Sequence, residues 1–220
     1  MALAGAGLAS EGQWLRAERQ TAGRGRLGRP WVSPAGNCYA STVVRLRPAD
    51  PPAATLAFVA AVALDEAVRV YLPAVGGLTL KWPNDLLVEG AKLSGMLLER
   101  TGDTVVLGIG VNLAHHPDLP DRGTTSLTAH GVEVAPDAFL ETLAEAFSRW
   151  LGRWRGDGFT VVRRRWLERA HGIGTPLTAR LPHGGSITGL FDGLDADGAL
   201  LLRLADGTRH VMHAGDVLLA

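Results

Sequence analysis

Four short strand-like runs follow one another between Leu78 and Ala114, and they constrain the fold more than any other part of the chain. Turns separate these runs, which cover 78–82, 86–89, 92–100 and 104–114. Pro83 cannot donate a hydrogen bond to a strand ladder, so it ends the first run. The turn Thr101-Gly102-Asp103 is typical of a hairpin. The middle of the chain is therefore predicted to be β-structure.

The flanking segments predict further strands and several helices, and the sequence pattern changes near residue 171. Strands are expected at 13–19 and 37–46, and helices at 53–72, 137–154 and 158–170. From His171 onward, short apolar runs alternate with Asp-Gly turns, which describes a small barrel. We therefore predict two domains, 1–170 and 171–220. Residues 2–9 are expected to be the end of a helix of small residues.

Composition narrows the functional class. The 220 residues are 46% hydrophobic and 20% charged, and 22 basic residues balance 22 acidic ones. This balance argues against a field that attracts DNA or a membrane surface. No apolar run reaches the roughly 18 residues of a membrane span, and the first ten residues lack the basic start of a signal peptide. The single cysteine, Cys38, excludes an internal disulfide, and we predict that it is buried. The expectation is a cytoplasmic protein.

Residues 20–34 read QTAGRGRLGRPWVSP, a stretch in which glycines alternate with Arg24, Arg26 and Arg29. Glycine lets the backbone lie close to a ligand, and the planar guanidinium of arginine suits a carboxylate or phosphate. One interpretation is a solvated basic loop that makes non-specific nucleic-acid contacts. The other is a loop that orders over an anion and closes an active site, and the motifs downstream favour it.

Two features of the central strands point to a bound ligand. On a period of two, Gly108, Gly110 and Asn112 share a face, which predicts a narrow slot for a flat and mostly apolar ligand, although tight strand–helix packing is the alternative. Asn84-Asp85 lies at a turn, where it either makes local hydrogen bonds or positions a nucleotide or a magnesium-bound water. Only two of the 22 basic residues are lysines, Lys81 and Lys92.

Four motifs together resemble the biotin protein ligases of class I, which lack a DNA-binding domain. They are GRGRLGRPWVSP from Gly23, KWPNDLLV from Lys81, KLSGMLLE from Lys92 and GIGVNL from Gly108. The resemblance implies an α+β fold. Its catalytic domain would be a mixed β-sheet of the class II synthetase-like type with helices on one face, followed by a small Src-homology-3-like β-barrel.

The resemblance also implies a two-step ligase reaction. Biotin and ATP, with Mg²⁺ brought by the nucleotide, would give biotinyl-5′-AMP and pyrophosphate. A lysine of a biotin carboxyl carrier protein would then take the biotinyl group and release AMP. The implied partners are biotin, ATP and the carrier domain of a biotin-dependent carboxylase. A homodimer is compatible with the resemblance. No role is implied for DNA, a membrane or a resident metal.

Site residues carry over position by position. The resemblance assigns catalysis to Arg24, Lys92 and Asp85, the last as the group that assists the incoming amine. Biotin contacts fall on the glycine–arginine stretch, on Lys92 and on the glycines of two strands: Gln20, Arg24, Gly25, Arg26, Lys92, Gly95, Gly108 and Gly110. Nucleotide contacts fall on Arg26, Trp31, Asn84 and Asn112. Relatives usually carry a Ser-Thr-Asn segment ahead of the first strand, and this sequence does not show one.

Three alternatives stay open. A lipoate ligase or octanoyltransferase uses the same fold, although two arginines in the glycine loop followed by KWPND favour biotin. A sensor that binds biotin or nucleotide without turnover is the second. A nucleic-acid binder is the third, yet Arg163-Arg164-Arg165 lies within a predicted helix and is expected to form a solvated face. His115 and His116 lack a third ligand at metal-site spacing and are expected in a surface loop.

Overall fold

The computed structural model describes residues 9–73, 76–120, 122–181 and 184–219. Two β-sheets and three α-helices make up these ranges. The helix end predicted at residues 2–9 lies outside them, apart from Ala9.

A six-stranded sheet forms the first and larger unit. Its strands are β1 (Trp14–Ala17), β2 (Cys38–Arg45), β3 (Leu78–Lys81), β4 (Asp85–Val88), β5 (Ala91–Thr101) and β6 (Thr104–Val111). They lie in the order β1-β2-β6-β5-β4-β3, and neighbouring strands pair antiparallel. Isolated parallel bridges join Leu80 to Ala170 and Lys92 to Thr124. The predicted mixed sheet is confirmed, with its parallel component confined to these bridges.

Two of the three helices pack on one face of this sheet, and the third packs on those two helices and on the second unit. The three helices are α1 (Leu56–Tyr71), α2 (Pro136–Asp157) and α3 (Phe159–Leu167). Helix α1 packs on β3, β4 and β5, while α2 packs on α1 and β2. The helix predicted at 158–170 ends early because the chain turns to the sheet edge, where the Leu80 amide donates to the Arg169 carbonyl.

The core lies between the helices and alternate residues of the strands. Cys38, Leu107 and Val111 on β2 and β6 are fully buried there, together with Leu64 of α1. Burial raises the pKa of the Cys38 thiol to about 12, so the thiol stays protonated and acts as a small apolar group, as predicted. The opposite face of the same strands is consequently free to form a site.

The second unit is a five-stranded antiparallel sheet. Its strands are β7 (Pro176–Arg180), β8 (Ser186–Leu194), β9 (Leu200–Arg203), β10 (Arg209–Met212) and β11 (Asp216–Leu219), in the order β10-β9-β8-β7-β11. A small C-terminal β-domain is confirmed, while barrel closure and a boundary at residue 171 stay predictions. Trp82 donates from Nε1 to the Gly198 carbonyl at 3.1 Å, which fixes this unit against the first.

A partly buried ion pair joins Glu11, which precedes β1, to Arg155 of α2. Glu11 accepts hydrogen bonds from Arg155 at 2.6 and 2.9 Å and from the Arg45 backbone amide at 2.8 Å. The hydrogen bond from Arg155 is the largest of the effects that lower the pKa of Glu11 to about 2, from an ordinary value of 4.5. A carboxyl whose pKa falls on folding stabilises the protein above its unfolded pKa.

We expect Glu11→Gln to lower the free energy of unfolding at pH 7 by about 1–2 kcal/mol, a value reduced for partial solvent exposure. The deficit should shrink as the pH falls from 4.5 toward 2, because the parental carboxyl then becomes protonated as well. Urea unfolding at several pH values measures both effects. Glu18→Gln, at an exposed position of the same segment, is the matched control. A pH-independent deficit would contradict the assignment.

Candidate active site

One row of register partners crosses the six-stranded sheet and forms the floor of the site. The row runs through Ala17, Tyr39, Gly110, Gly95, Asp85 and Lys81, each directly opposite the next on the neighbouring strand. Cross-strand partners project from the same face of a sheet. Two glycines at the centre of the row thus leave bare backbone, with a carboxylate and an ammonium group beside them.

The indole of Trp31 lies on this bare backbone. A Cβ atom on Gly110 would come within 2.7 Å of the indole, and one on Gly95 within 3.2 Å. Gly108 differs, because a Cβ atom there would meet nothing closer than 3.8 Å. The Trp31 Nε1 is buried and has no hydrogen-bond partner among the described residues. The glycine-lined slot expected from the sequence is therefore narrowest at Gly95 and Gly110.

Residues 23–31 fold over the slot as a small hairpin. The Gly25 amide donates to the Arg29 carbonyl, and the Trp31 amide donates to the Gly23 carbonyl, both at 2.8 Å. Glycine is required at position 23, since a Cβ atom there would lie 2.6 Å from the Trp31 carbonyl oxygen. The tip of the hairpin carries Leu27 with a φ of 57° and its side chain in solvent. These contacts hold Trp31 at the base of the hairpin.

The three arginines of the hairpin have different partners. Arg24 is largely exposed and lies 3.3 Å from Glu99 of β5. Arg26 is half-buried and donates to the Gly215 carbonyl at 2.9 Å, while Arg29 pairs with Asp216 at 2.8 Å. Burial lowers the pKa of Arg26, and the charge of Asp216 opposes that effect. Two of the arginines therefore anchor the hairpin to the C-terminal sheet, and Arg24 remains at the mouth.

A β-bulge brings Lys92 to the same face as Asp85. Leu86 pairs with Ser94, whereas Leu87 pairs with Lys92, so Leu93 is an extra residue on β5. Without the bulge, a period of two would place Lys92 on the core face with Ser94. With the bulge, the Lys92 Nζ lies 2.5 Å from Asp85 Oδ1 and 5.5 Å from the centre of the Trp31 ring.

Each amide side chain predicted for the site makes a hydrogen bond, two of them to backbone carbonyls and that of Gln20 to a side-chain hydroxyl. Asn84 donates from Nδ2 to Met96 of β5 at 2.5 Å, and Gln20 accepts from Ser33 at 2.9 Å. Asn112 donates from Nδ2 to the Thr125 carbonyl at 3.0 Å. Its Oδ1, which is buried, has no hydrogen-bond partner within the part of the chain that the structure describes. Asn112 therefore offers an oriented, unsatisfied acceptor beside the glycine floor.

One cavity of about 690 Å³ is lined by every residue predicted for the site. The lining also includes residues that sequence reasoning missed: Tyr39, Ser41, Glu99, Arg122, Thr124, Arg180 and Asp216. Ser41 and Glu99 share a face with the glycines by register, so alternation along β2 and β5 was the available signal. Arg180 and Asp216 come from the C-terminal sheet, and no local pattern in the sequence indicates that they reach the cavity.

Asp216 is ionised in this setting. Burial works against its charge, but the hydrogen bond from Arg29 and the charges of Lys81 and Arg122 lower its pKa overall. Within the described ranges, no three His, Cys, Asp or Glu side chains are grouped so as to hold a metal ion. No helix in those ranges has the length and apolar character needed to cross a bilayer.

The cavity has a glycine floor, arginine at its mouth and a glycine-rich hairpin above it. This arrangement suits a flat ligand that carries an anionic group. The family model for the Biotin/lipoate A/B protein ligase family matches residues 10–113, and that for the Biotin protein ligase C terminal domain matches residues 172–219. These two models cover more than half of the chain. The chain belongs to the biotin protein ligase family.

Individual relatives agree with this membership. The chain is 42% identical to a biotin–[acetyl-CoA-carboxylase] ligase of Paracoccus denitrificans, over 93% of this chain and 89% of the relative. It is also similar to a biotin protein ligase structure from Aquifex aeolicus in complex with biotin and ATP, with a TM-score of 0.83, 26% identity and coverage of 96% and 91%. A Leishmania major biotin protein ligase in complex with biotinyl-5-AMP matches with a TM-score of 0.64 and 25% identity, and coverage is 91% and 88%.

We expect Gly110→Ala to displace the Trp31 indole, because the added methyl group would lie far inside contact distance of the ring. Gly108→Ala, two residues away on the same face, should leave the indole in place and serves as the control. Labelling with 5-fluorotryptophan gives one ¹⁹F signal for each of the six tryptophans, and Trp31→Phe assigns the signal of Trp31. An unshifted Trp31 signal in Gly110→Ala would contradict the packing described.

Proposed function

We propose that this protein is an ATP-dependent biotin protein ligase that modifies a lysine of a biotin carboxyl carrier domain. The biotin carboxylate attacks the α-phosphorus of ATP, forming biotinyl-5′-AMP and releasing pyrophosphate. The amine of the carrier lysine then attacks the acyl carbon, forming an amide and releasing AMP. Membership of the family and the 42% identical biotin–[acetyl-CoA-carboxylase] ligase support both the reaction and the carrier partner.

The observation that carries the proposal is the continuity of the cavity. One space of about 690 Å³ joins the glycine floor, the cations Arg24 and Lys92, and the unpaired acceptor of Asn112. The floor, on which the Trp31 indole lies in this structure, suits the flat, apolar part of biotin when the indole moves off it. The cations suit the carboxylate and phosphate that must meet, and the acceptor suits an adenine amino group.

In the first step, two anionic groups approach each other, so positive charge at their meeting point lowers the barrier most. Arg24 at the mouth offers a bidentate contact, and Lys92 offers a compact charge on the floor. Mg²⁺ enters as the magnesium complex of ATP. Lys92 is paired with Asp85 in the structure, so its ammonium group has to turn from Asp85 toward the phosphate when substrates bind.

The hairpin 23–31 would protect the product of this step. A mixed anhydride is readily hydrolysed, and a cover over the cavity excludes water. Arg26 and Arg29 hold the hairpin to Gly215 and Asp216, so the C-terminal sheet supports the cover. The loop containing Pro117, Leu119 and Thr124 lines the same cavity and is expected to lie over the adenine.

In the second step, the incoming amine has to lose a proton as the amide forms. Asp85 is 4% exposed and lies in the floor beside Gly95, close to where the acyl carbon would sit. A carboxylate at this place can accept the proton or hold the amine in position. A cytoplasmic location, where such a carrier would be available, stays a prediction.

The C-terminal match supports biotin over lipoate, since the matching model describes the C-terminal domain of biotin protein ligases. Competition tests the point directly: free biotin should block any modification that the protein carries out, and lipoate should not. Release of pyrophosphate on addition of biotin and MgATP separates the ligase from a non-catalytic sensor.

We expect Arg24→Ala and Lys92→Met each to slow biotinyl-AMP formation by about 10²–10³-fold, by analogy with the loss of one preorganised donor. Biotin-dependent pyrophosphate release under single-turnover conditions measures this rate. Arg100→Ala removes a cation at the far end of β5, outside the cavity lining, and should retain the parental rate. If both site variants formed the adenylate at the parental rate, the two assigned roles would be wrong.

We further expect Asn112 to distinguish ATP from inosine triphosphate, which has a carbonyl oxygen in place of the amino group. Asn112→Ala should lower kcat/KM for ATP about tenfold, because the buried acceptor is lost. The same variant should change kcat/KM for inosine triphosphate little, so the second nucleotide controls for general loosening of the loop at Thr125. Equal losses for the two nucleotides would contradict the contact.

A further inference from the structure

Both lysines of the chain contact the same carboxylate. The Lys92 Nζ lies 2.5 Å from Asp85 Oδ1, and the Lys81 Nζ lies 3.3 Å from Asp85 Oδ2. All three side chains are largely shielded from water, with exposures of 16%, 11% and 4% for Lys92, Lys81 and Asp85. The other 20 basic residues are arginines, so both lysine ammonium groups of the chain lie at one carboxylate.

The two lysines are held in different ways. Lys92 lines the cavity, lies against the Trp31 ring and directly precedes the bulged residue Leu93, so its side chain faces the substrate space. Lys81 is absent from the cavity lining and also donates to the Val217 carbonyl at 3.0 Å, in the C-terminal sheet. Lys81 and Asp85 are register partners across the β3–β4 turn. Lys81 is therefore held in two ways, by the pairing of its own backbone with β4 and by the contact of its ammonium group with the Val217 carbonyl.

The different surroundings of the two lysines matter for the charge balance at Asp85. When Lys92 turns to a bound anion, Asp85 loses its closest partner while it remains buried. An uncompensated buried charge is strongly unfavourable, so the carboxylate would leave this position. The Lys81 ammonium group already lies next to the other carboxylate oxygen, and it can keep Asp85 in place.

We propose that Lys81 is a positioning residue that holds the Asp85 carboxylate in place and oriented while Lys92 contacts the phosphate. Lys92 exchanges partners between Asp85 and the substrate, whereas Lys81 keeps Asp85 throughout. The contact with Val217 makes the C-terminal sheet part of this arrangement. This inference rests on the proposed function and deepens it, because it makes Lys81 specific to the transfer half-reaction.

The first test separates the half-reactions. Lys81→Met should slow transfer from preformed biotinyl-AMP to a carrier domain by about 10–100-fold, and slow adenylation by less than about threefold. In an Asp85→Asn background, Lys81→Met should cause no further loss in transfer, because Lys81 acts through Asp85. Lys81→Arg should restore most of the transfer rate. Arg209→Met removes an exposed cation of the C-terminal sheet and is the control.

Two outcomes of this test would overturn the proposal. One is a parental transfer rate in Lys81→Met. The other is an equal fall in both half-reactions that tracks a lowered Tm, which would indicate a purely structural role. If the parental protein formed no biotinyl-AMP at all, the proposed function would fail, and the second test would still judge the pairing of Lys81 with Asp85.

The second test needs no catalytic activity. With ¹⁵N-labelled lysine, Lys92→Met leaves a single side-chain NH₃⁺ signal, that of Lys81, and mimics the departure of Lys92. We expect this signal to remain visible and protected from hydrogen exchange. It should broaden or disappear when Asp85→Asn is added. A Lys81 signal that is indifferent to Asp85→Asn, or that is already lost in Lys92→Met, would overturn the proposal.

Discussion

The close approach of an indole to bare sheet backbone is the contact on which the site depends. Gly95 and Gly110 are register partners, so the missing side chains coincide and leave one continuous gap across two strands. Trp31 fills that gap. It belongs to a hairpin in which the backbone at Trp31 lies too close to Gly23 for any side chain at position 23. A flat ligand as thin as an indole can lie on the same surface. The site therefore needs the glycine floor, the hairpin above it and the cations beside it.

Around this floor, the protein concentrates charge where water is scarce. Asp85 receives two ammonium groups, and Asp216 receives the Arg29 guanidinium, so each acidic group of the site is compensated by a cation from another element. These pairs also join parts of the chain that are far apart in sequence. Arg26, Arg29 and Lys81 all reach residues 215–217, and the C-terminal sheet consequently forms one wall of the site.

Much of this could be predicted from sequence because the signals are local. Turns at Pro83 and Gly102 bounded the strands, and a period of two put Gly108, Gly110 and Asn112 on one face. The motifs then supplied the site residues, all of which line one cavity. Register was not predictable in the same way. The pairing of Gly95 with Gly110 depends on strand partners, and the reach of Asp216 into the cavity depends on how two sheets dock.

The position of Lys92 illustrates the limit most clearly. Strict alternation along β5 would place Lys92 with Ser94 and Met96, facing the apolar core, where an ammonium group would lack a partner. The bulge at Leu93 reverses this by turning Leu93 into the core and Lys92 toward Asp85. A lysine at this position and an extra residue in the strand therefore require each other. Polar residues that violate the period of a strand are, on this argument, a signal for a bulge beside a functional site.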